Sequence, residues 1–148
     1  MSASRQIVCL ACSGINRVPP DRPAGAALCG RCKTPLFSGK PAEVDAAMLD
    51  RQVRRGEVPV LVDVWAPWCG PCRTMAPAFE AAAAALEPEM RLLKLNSDAE
   101  PEAAARLGIR GIPTMILFAG GREVARVSGA MAAQQIVSWA RGKQAAIA

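Results

Sequence analysis

The chain has 148 residues, 51% of them hydrophobic, with six cysteines and no histidine; that length suits one ordinary domain with a small appendage, and the apolar fraction is enough to bury a core. Its formal net charge is +5, carried by arginines scattered along the chain (Arg5, Arg17, Arg31, Arg54, Arg55, Arg110, Arg126), and it has three Trp, three Phe and no Tyr. Neither a basic nucleic-acid tract nor an aromatic platform for single strands is expected from that distribution.

No apolar stretch approaches the roughly 18 residues of a membrane span. The N-terminal stretch MSASRQIVCLACSG has a short apolar run and one arginine, too little for a secretory signal. A cytoplasmic location is expected, where thiols stay reduced, so paired cysteines point to metal or catalysis rather than to structural disulfides.

Residues 1–40 are rich in Gly, Pro, Ser and Cys, with little periodicity. Within them, Cys9-x-x-Cys12 and Cys29-x-x-Cys32 are separated by sixteen residues, a spacing that fits a four-cysteine zinc ribbon. Each pair makes a short knuckle, and two knuckles close a tetrahedral shell with no open position, so the ion would be structural. With no histidine, no mixed ligand set with that residue is possible. Iron or a second redox site remains an alternative for these pairs, but neither follows a buried strand nor opens a convincing helix. VPPDRP, residues 18–23, falls inside the ribbon loop, and the junction is placed near FSGKPAE. Two units are expected, 1–40 and 41–148.

From residue 41 helical and strand signals alternate. Asp45 caps a helix over AAMLDRQVRR that stops at Gly56, read as a left-handed C-terminal position. PVLVDVW is apolar almost throughout, as in a parallel strand covered on both faces. RTMAPAFEAAAAALEP reads as a helix with Pro77 as a kink, MRLLKLN as a strand, and EPEAAARLG as a helix ended by Gly108. PTMILFAGGREVARVSG reads as two strands turning at Gly120-Gly121, and AMAAQQIVSWARG as a final helix. Strand–helix–strand units imply parallel crossovers, and the hairpin adds an antiparallel strand, giving an α/β fold with a central mixed sheet.

Between the first strand and its following helix lies WCGPC, residues 68–72. Orphan backbone N–H groups and the positive end of the helix dipole favour an anion at Cys69, and Pro71 presets the helical backbone. Cys69 is expected to attack disulfides as a thiolate, with Cys72 as the resolving thiol. A metal-binding role remains the alternative for the pair taken alone. Asp63 interrupts an apolar strand, where burial would raise its pKa and make it a proton acceptor; the alternative is a strand-end aspartate facing water.

VDVWAPWCGPCRTMAP, KLNSDAEPEAAARLGIRGIPT and FAGGREVARVSGA together resemble the thioredoxin family over most of residues 41–148. The resemblance implies the thioredoxin fold and a protein-disulfide reductase recycled by an NADPH-dependent thioredoxin reductase. It implies that Asp63 assists Cys72, that Lys94 lies near Asp63, and that Pro113 is in cis beside the redox pair. A substrate groove would comprise Trp68, Gly70, Pro71, Ile112, Pro113, Gly129 and Ala130, with Ile112 offering backbone hydrogen bonds to an extended substrate. A ribbon ahead of such a domain resembles the zinc-containing bacterial type of the family. One structural zinc ion on Cys9, Cys12, Cys29 and Cys32 is thus expected, with no organic cofactor, no nucleic-acid or membrane partner, and a monomer. The rivals are a ribbon adaptor that uses the second unit as scaffold, and a ribbon that senses oxidation.

Overall fold

The computed structural model describes residues 4–147; the first three residues of the stretch weighed above as a secretory signal lie outside them. Two strands, β1 (Arg5–Val8) and β2 (Ile15–Val18), form an antiparallel hairpin, and a short 3-10 turn follows at Ala24–Ala26. An isolated antiparallel bridge joins Leu28 to Pro35. Ile7, Val18, Leu36 and Phe37 pack with Cys9 and Cys29 into a small core that also takes in Val58 from beyond the ribbon. Four residues per strand are too few to give a readable alternation, so this region carried no strand signal in the sequence.

The larger sheet is ordered β3-β5-β4-β6-β7, with β3 (Ala42–Glu43), β4 (Val60–Trp65), β5 (Arg91–Asn96), β6 (Thr114–Ala119) and β7 (Arg122–Ser128). The helices are α1 (Ala46–Arg55), α2 (Gly70–Leu86), α3 (Pro101–Arg106) and α4 (Ala133–Ala146). Strand alternation divides the core. Leu61, Leu92, Met115 and Leu117 face Met75 and Phe79 of α2 and Ile136 of α4, while Val60, Val62, Leu93 and Ile116 face Leu49 of α1 and Ala103 of α3.

The units β3–α1–β4 and β4–α2–β5 are parallel crossovers, since β3 and β4 both run parallel to β5, but β5–α3–β6 is not: β6 is antiparallel to β4. The cause is α3, which has six residues and so spans about 9 Å, against about 20 Å for a six-residue strand. It cannot carry the chain back to the start of the sheet. β6 therefore begins at the end where β4 finishes, and that brings the loop before Thr114 next to the start of α2.

Asp45 caps α1 as expected, its Oδ1 accepting from the Met48 N–H at 2.8 Å. Gly56 is not left-handed; its φ is −78°. Its requirement is close approach, since an added Cβ would lie 2.6 Å from the Gln52 carbonyl oxygen. The hairpin does need positive φ: Gly120 and Gly121 stand at +64° and +83°, and Ala119 pairs with Arg122 across them. α2 begins at Gly70 and continues through Pro77.

Arg91 ties the ribbon to the sheet. It is 1% exposed and donates to the Leu36 carbonyl at 2.6 Å, the Val8 carbonyl at 3.0 Å and Gln52 Oε1 at 3.3 Å. Its guanidinium stacks 4.2 Å from the Phe37 ring centroid. Gln52 Nε2 adds a bond to the Val8 carbonyl at 3.1 Å.

Candidate functional site

Cys69 is the N-cap of α2, and Cys69 and Cys72 are joined in a disulfide with Cα atoms 5.2 Å apart. The Cys72 N–H points at Cys69 Sγ, 3.2 Å away. An N–H at a helix start that faces a sulfur is the arrangement that stabilises a thiolate once the bond is reduced. Pro71 occupies the first turn, where its missing N–H costs nothing.

Both sulfurs are nearly buried, but Cys69 lines a cleft of about 680 Å³ and Cys72 does not. Trp68, Gly70, Pro71 and Ile112 share that cleft with Pro101, Ala104, Ala105, Ile109 and Arg110. Trp68 is 67% exposed, its Nε1 donating to Asp98 at 3.2 Å. The Ile112–Pro113 bond is cis, and Cys69 Sγ lies 3.8 Å from the Ile112 carbonyl oxygen. Thr114 Oγ1 donates to the Gly111 carbonyl at 2.6 Å and meets Ser128 Oγ at 2.8 Å, bracing that loop. Gly129 reaches the loop through its N–H to the Pro113 carbonyl at 2.9 Å. Gly129 and Ala130 are exposed and do not line the cleft, which extends along α3 instead.

Asp63 is fully buried and neither carboxylate oxygen has a hydrogen-bond partner. It sits on the sheet face that α2 covers. Burial pushes it up to about 7, the Lys94 charge pulling it down and the Glu43 charge adding to the rise. Lys94 stands opposite Asp63 in the pairing of β4 with β5.

At the other end of the chain, the Sγ atoms of Cys9, Cys12, Cys29 and Cys32 all lie within 4.8 Å of one another. Cys9 meets Cys32, and Cys12 meets Cys29, at 3.6 Å each. A tetrahedral zinc with bonds of about 2.3 Å needs sulfurs about 3.8 Å apart, so the set fits that ion. The thiol chemistry agrees. Hydrogen bonds from the backbone of Cys32 and from Asn16 draw Cys29 down to about 6. At Cys12 the largest single effect is the backbone hydrogen bond from Gly14, which lowers it, but burial and the three neighbouring thiols together push it up to about 11. Four thiolates this close repel, and a central dication resolves that repulsion. Cys9 does follow a strand, β1, whose last two residues are buried, contrary to the sequence reading, but the chain then turns back into β2 instead of entering a helix.

The family model described as Thioredoxin matches residues 40–142. The chain belongs to the thioredoxin family. Residues 8–34 match the zinc-ribbon model described as Thioredoxin 2, N-terminal. Thioredoxin C-3 of Corynebacterium nephridii is 38% identical over 90% of this chain and 91% of that protein, and a thioredoxin of Alicyclobacillus acidocaldarius is 48% identical over 58% and 82%. Among solved structures, a mutant thioredoxin from Halobacterium salinarum NRC-1 superposes with a TM-score of 0.65 at 29% identity, covering 72% of this chain and 93% of that one. Chloroplastic thioredoxin z gives the same TM-score at 27% identity, covering 72% and 96%. The protein is a thiol–disulfide oxidoreductase with an N-terminal zinc ribbon, and no helix among the described residues is long and apolar enough to cross a membrane.

Three thioredoxin-domain residues around these sites went unread in the sequence. Glu43 lies on a two-residue strand too short to show a pattern. Gln52 and Arg91 are polar residues with 1% exposure; the signal for Arg91 was a charge directly before the buried Leu92-Leu93 pair. In the ribbon, Asn16 was also missed: its amide Nδ2 lies 3.5 Å from Cys29 Sγ and its Oδ1 accepts the Gly30 N–H at 2.8 Å.

Proposed function

We propose that this thioredoxin-family protein is a cytoplasmic, monomeric protein-disulfide reductase recharged by thioredoxin reductase. The observation that carries the reading is the Cys69–Cys72 disulfide at a helix start, with Cys69 facing an open, largely apolar cleft. In the reduced state the Cys69 thiolate attacks a substrate disulfide, forming a mixed disulfide and releasing one substrate thiolate. Cys72 gives its proton to Asp63 and attacks Cys69 Sγ. That re-forms the intramolecular bond and expels the second substrate thiolate, so two electrons pass from protein to substrate. Lys94 tunes Asp63 by its charge. Trp68, Gly70, Pro71 and Ile112 bind the substrate beside Pro113, and Gly129 and Ala130 extend the contact past that loop.

Residues 1–40 form the ribbon and 41–148 the catalytic unit. Cys9, Cys12, Cys29 and Cys32 would hold one zinc ion, whose chemistry is structural because the four sulfurs leave no open position. The test is NADPH consumption with thioredoxin reductase and insulin as the disulfide substrate. Turnover at catalytic amounts, abolished by Cys69→Ser, is expected, and Cys72→Ser should accumulate mixed disulfides. A Cys69→Ser variant that still turns over would sink the reading.

A further inference from the structure

Three charged residues stand in a row across three adjacent strands. Glu43 on β3 lies opposite Lys94 on β5, and Lys94 lies opposite Asp63 on β4. Strand alternation puts all three on one face, the one that α2 and α4 cover. Neighbouring strands are about 4.8 Å apart, so the backbone position of the lysine lies between those of the two acids. The remaining neighbours of Asp63 carry no fixed charge: Met115 lies opposite it on β6, and α2 brings the Cys69–Cys72 pair.

Lys94 is committed to neither acid. The ion pairs among the described residues are Asp50 with Arg54 and Glu123 with Arg126, and both Asp63 oxygens lack a donor. The Lys94 ammonium rests over the Trp65 ring, 4.4 Å from its centroid. That ring is itself held, because Trp65 Nε1 donates to Glu43 Oε1 at 2.9 Å. Glu43 Oε2 accepts the Asn96 backbone N–H, also at 2.9 Å. Glu43 is thus anchored through both oxygens and cannot swing freely.

We infer that Glu43 is a positioning residue of the redox site: it pins the Trp65 ring on which Lys94 rests and draws the ammonium toward β3, so that Asp63 keeps no cation of its own and retains its hold on a proton. The inference rests on the reading of Asp63 as the proton acceptor for Cys72. A carboxylate locked onto an ammonium is a weak base, and one buried alone stays protonated at neutral pH. A cation shared between two acids leaves Asp63 between those limits, which agrees with the opposing effects of Lys94 and Glu43 on its proton affinity. During resolution the Cys72 proton moves to an Asp63 oxygen and a Cys69–Cys72 bond forms. The bond from Cys69 to the substrate breaks, and the electron pair leaves on the substrate sulfur, which takes a proton from water.

The test is Glu43→Gln, which keeps an oxygen for Trp65 and removes the charge. Two quantities are read: the Asp63 titration midpoint in the oxidised protein, by carboxyl carbon NMR, and the pH profile of release of a chromogenic aryl thiol from its mixed disulfide with Cys69. Coulomb's law across two strand spacings at intermediate dielectric gives an expected fall of the midpoint of roughly half to one pH unit. The acid limb of the release profile should move down with it. In a Lys94→Met background the same change should move the midpoint by less, because no ammonium remains to be redirected. An unmoved or raised midpoint overturns the inference, and so does a release profile that stays in place while the midpoint falls. The midpoint can be read whether or not insulin is a substrate, so failure here is separable from failure of the reductase reading.

Discussion

Replacing Asp63 by asparagine should shift stability further in the variant's favour as pH rises. In the folded chain burial holds Asp63 at about 7, against an ordinary value of 3.8. Between those values the folded state binds more protons than the unfolded one, so stability falls as pH rises through that window. Below the lower value the cost is absent; above the upper value it is complete. A difference of that size corresponds to about 4 kcal/mol in total, of which about 2 kcal/mol develops between about pH 5.5 and about pH 8.5. The substituted asparagine would leave an amide without partners, at a cost of about 1–3 kcal/mol, but that cost is the same at every pH. The pH-dependent part of the difference therefore belongs to the carboxylate, and the comparison cancels whatever the ribbon thiols do, since both proteins carry them. Urea unfolding of oxidised wild type and Asp63→Asn across that range is the assay. The gap between the two stability curves should widen by about 2 kcal/mol toward the alkaline end. Parallel curves would refute the reasoning, for they would mean that Asp63 titrates alike in the folded and unfolded chains.

Arg91→Leu should cost roughly 2–4 kcal/mol, because the Leu36 carbonyl loses its guanidinium partner while the Val8 carbonyl keeps only Gln52. Urea midpoints would measure the loss, and limited proteolysis should show cleavage near Phe37 as the ribbon loosens. Zinc chelation should release one ion per chain, scored with a metallochromic dye. It should also raise hydrogen exchange across β1, β2 and the loop to Phe37, while leaving amide protection of β4 and β5 intact.

What the sequence made legible is what depends on neighbours along the chain. The cap at Asp45, the helix from 46 to 55, the Gly120-Gly121 turn and the pair at 69 and 72 are decided within a few residues, and each appears where local chemistry puts it. What stayed hidden depends on partners far apart. Glu43 matters because β3 pairs with β5, Glu43 standing opposite Lys94 far along the chain, and a two-residue strand leaves no period to read. Arg91 reads as a surface charge until Leu36 and Val8 from the ribbon close over it. The reversal of β6 was missed because EPEAAARLG reads as a helix whatever its length, and only the shortness of α3 shows that it cannot make a parallel crossover.

The three Cys-x-x-Cys pairs begin alike and are told apart by the backbone after the second cysteine. In each, the carbonyl of the first cysteine accepts the N–H four residues on: Ser13 to Cys9 and Lys33 to Cys29 at 2.9 Å, and Arg73 to Cys69 at 3.1 Å. Past Cys72 the turn continues as α2 to Leu86, so aligned peptide dipoles accumulate behind one pair of sulfurs and favour charge at the first of them. In the ribbon, Ser13 and Lys33 take φ of +65° and +67° and end the turn at once. Gly14 and Thr34 then accept the N–H of the first cysteine, each at 2.8 Å, and the chain folds back on itself. Those knuckles face each other, with sulfurs meeting across the gap rather than within a pair. A helix after the motif isolates two sulfurs that can bond to each other. A reversal after it presents them outward, and two such reversals in opposition make a four-sulfur cage. The spacing of the cysteines is common to both chemistries, and the backbone at the fifth residue of each motif separates them.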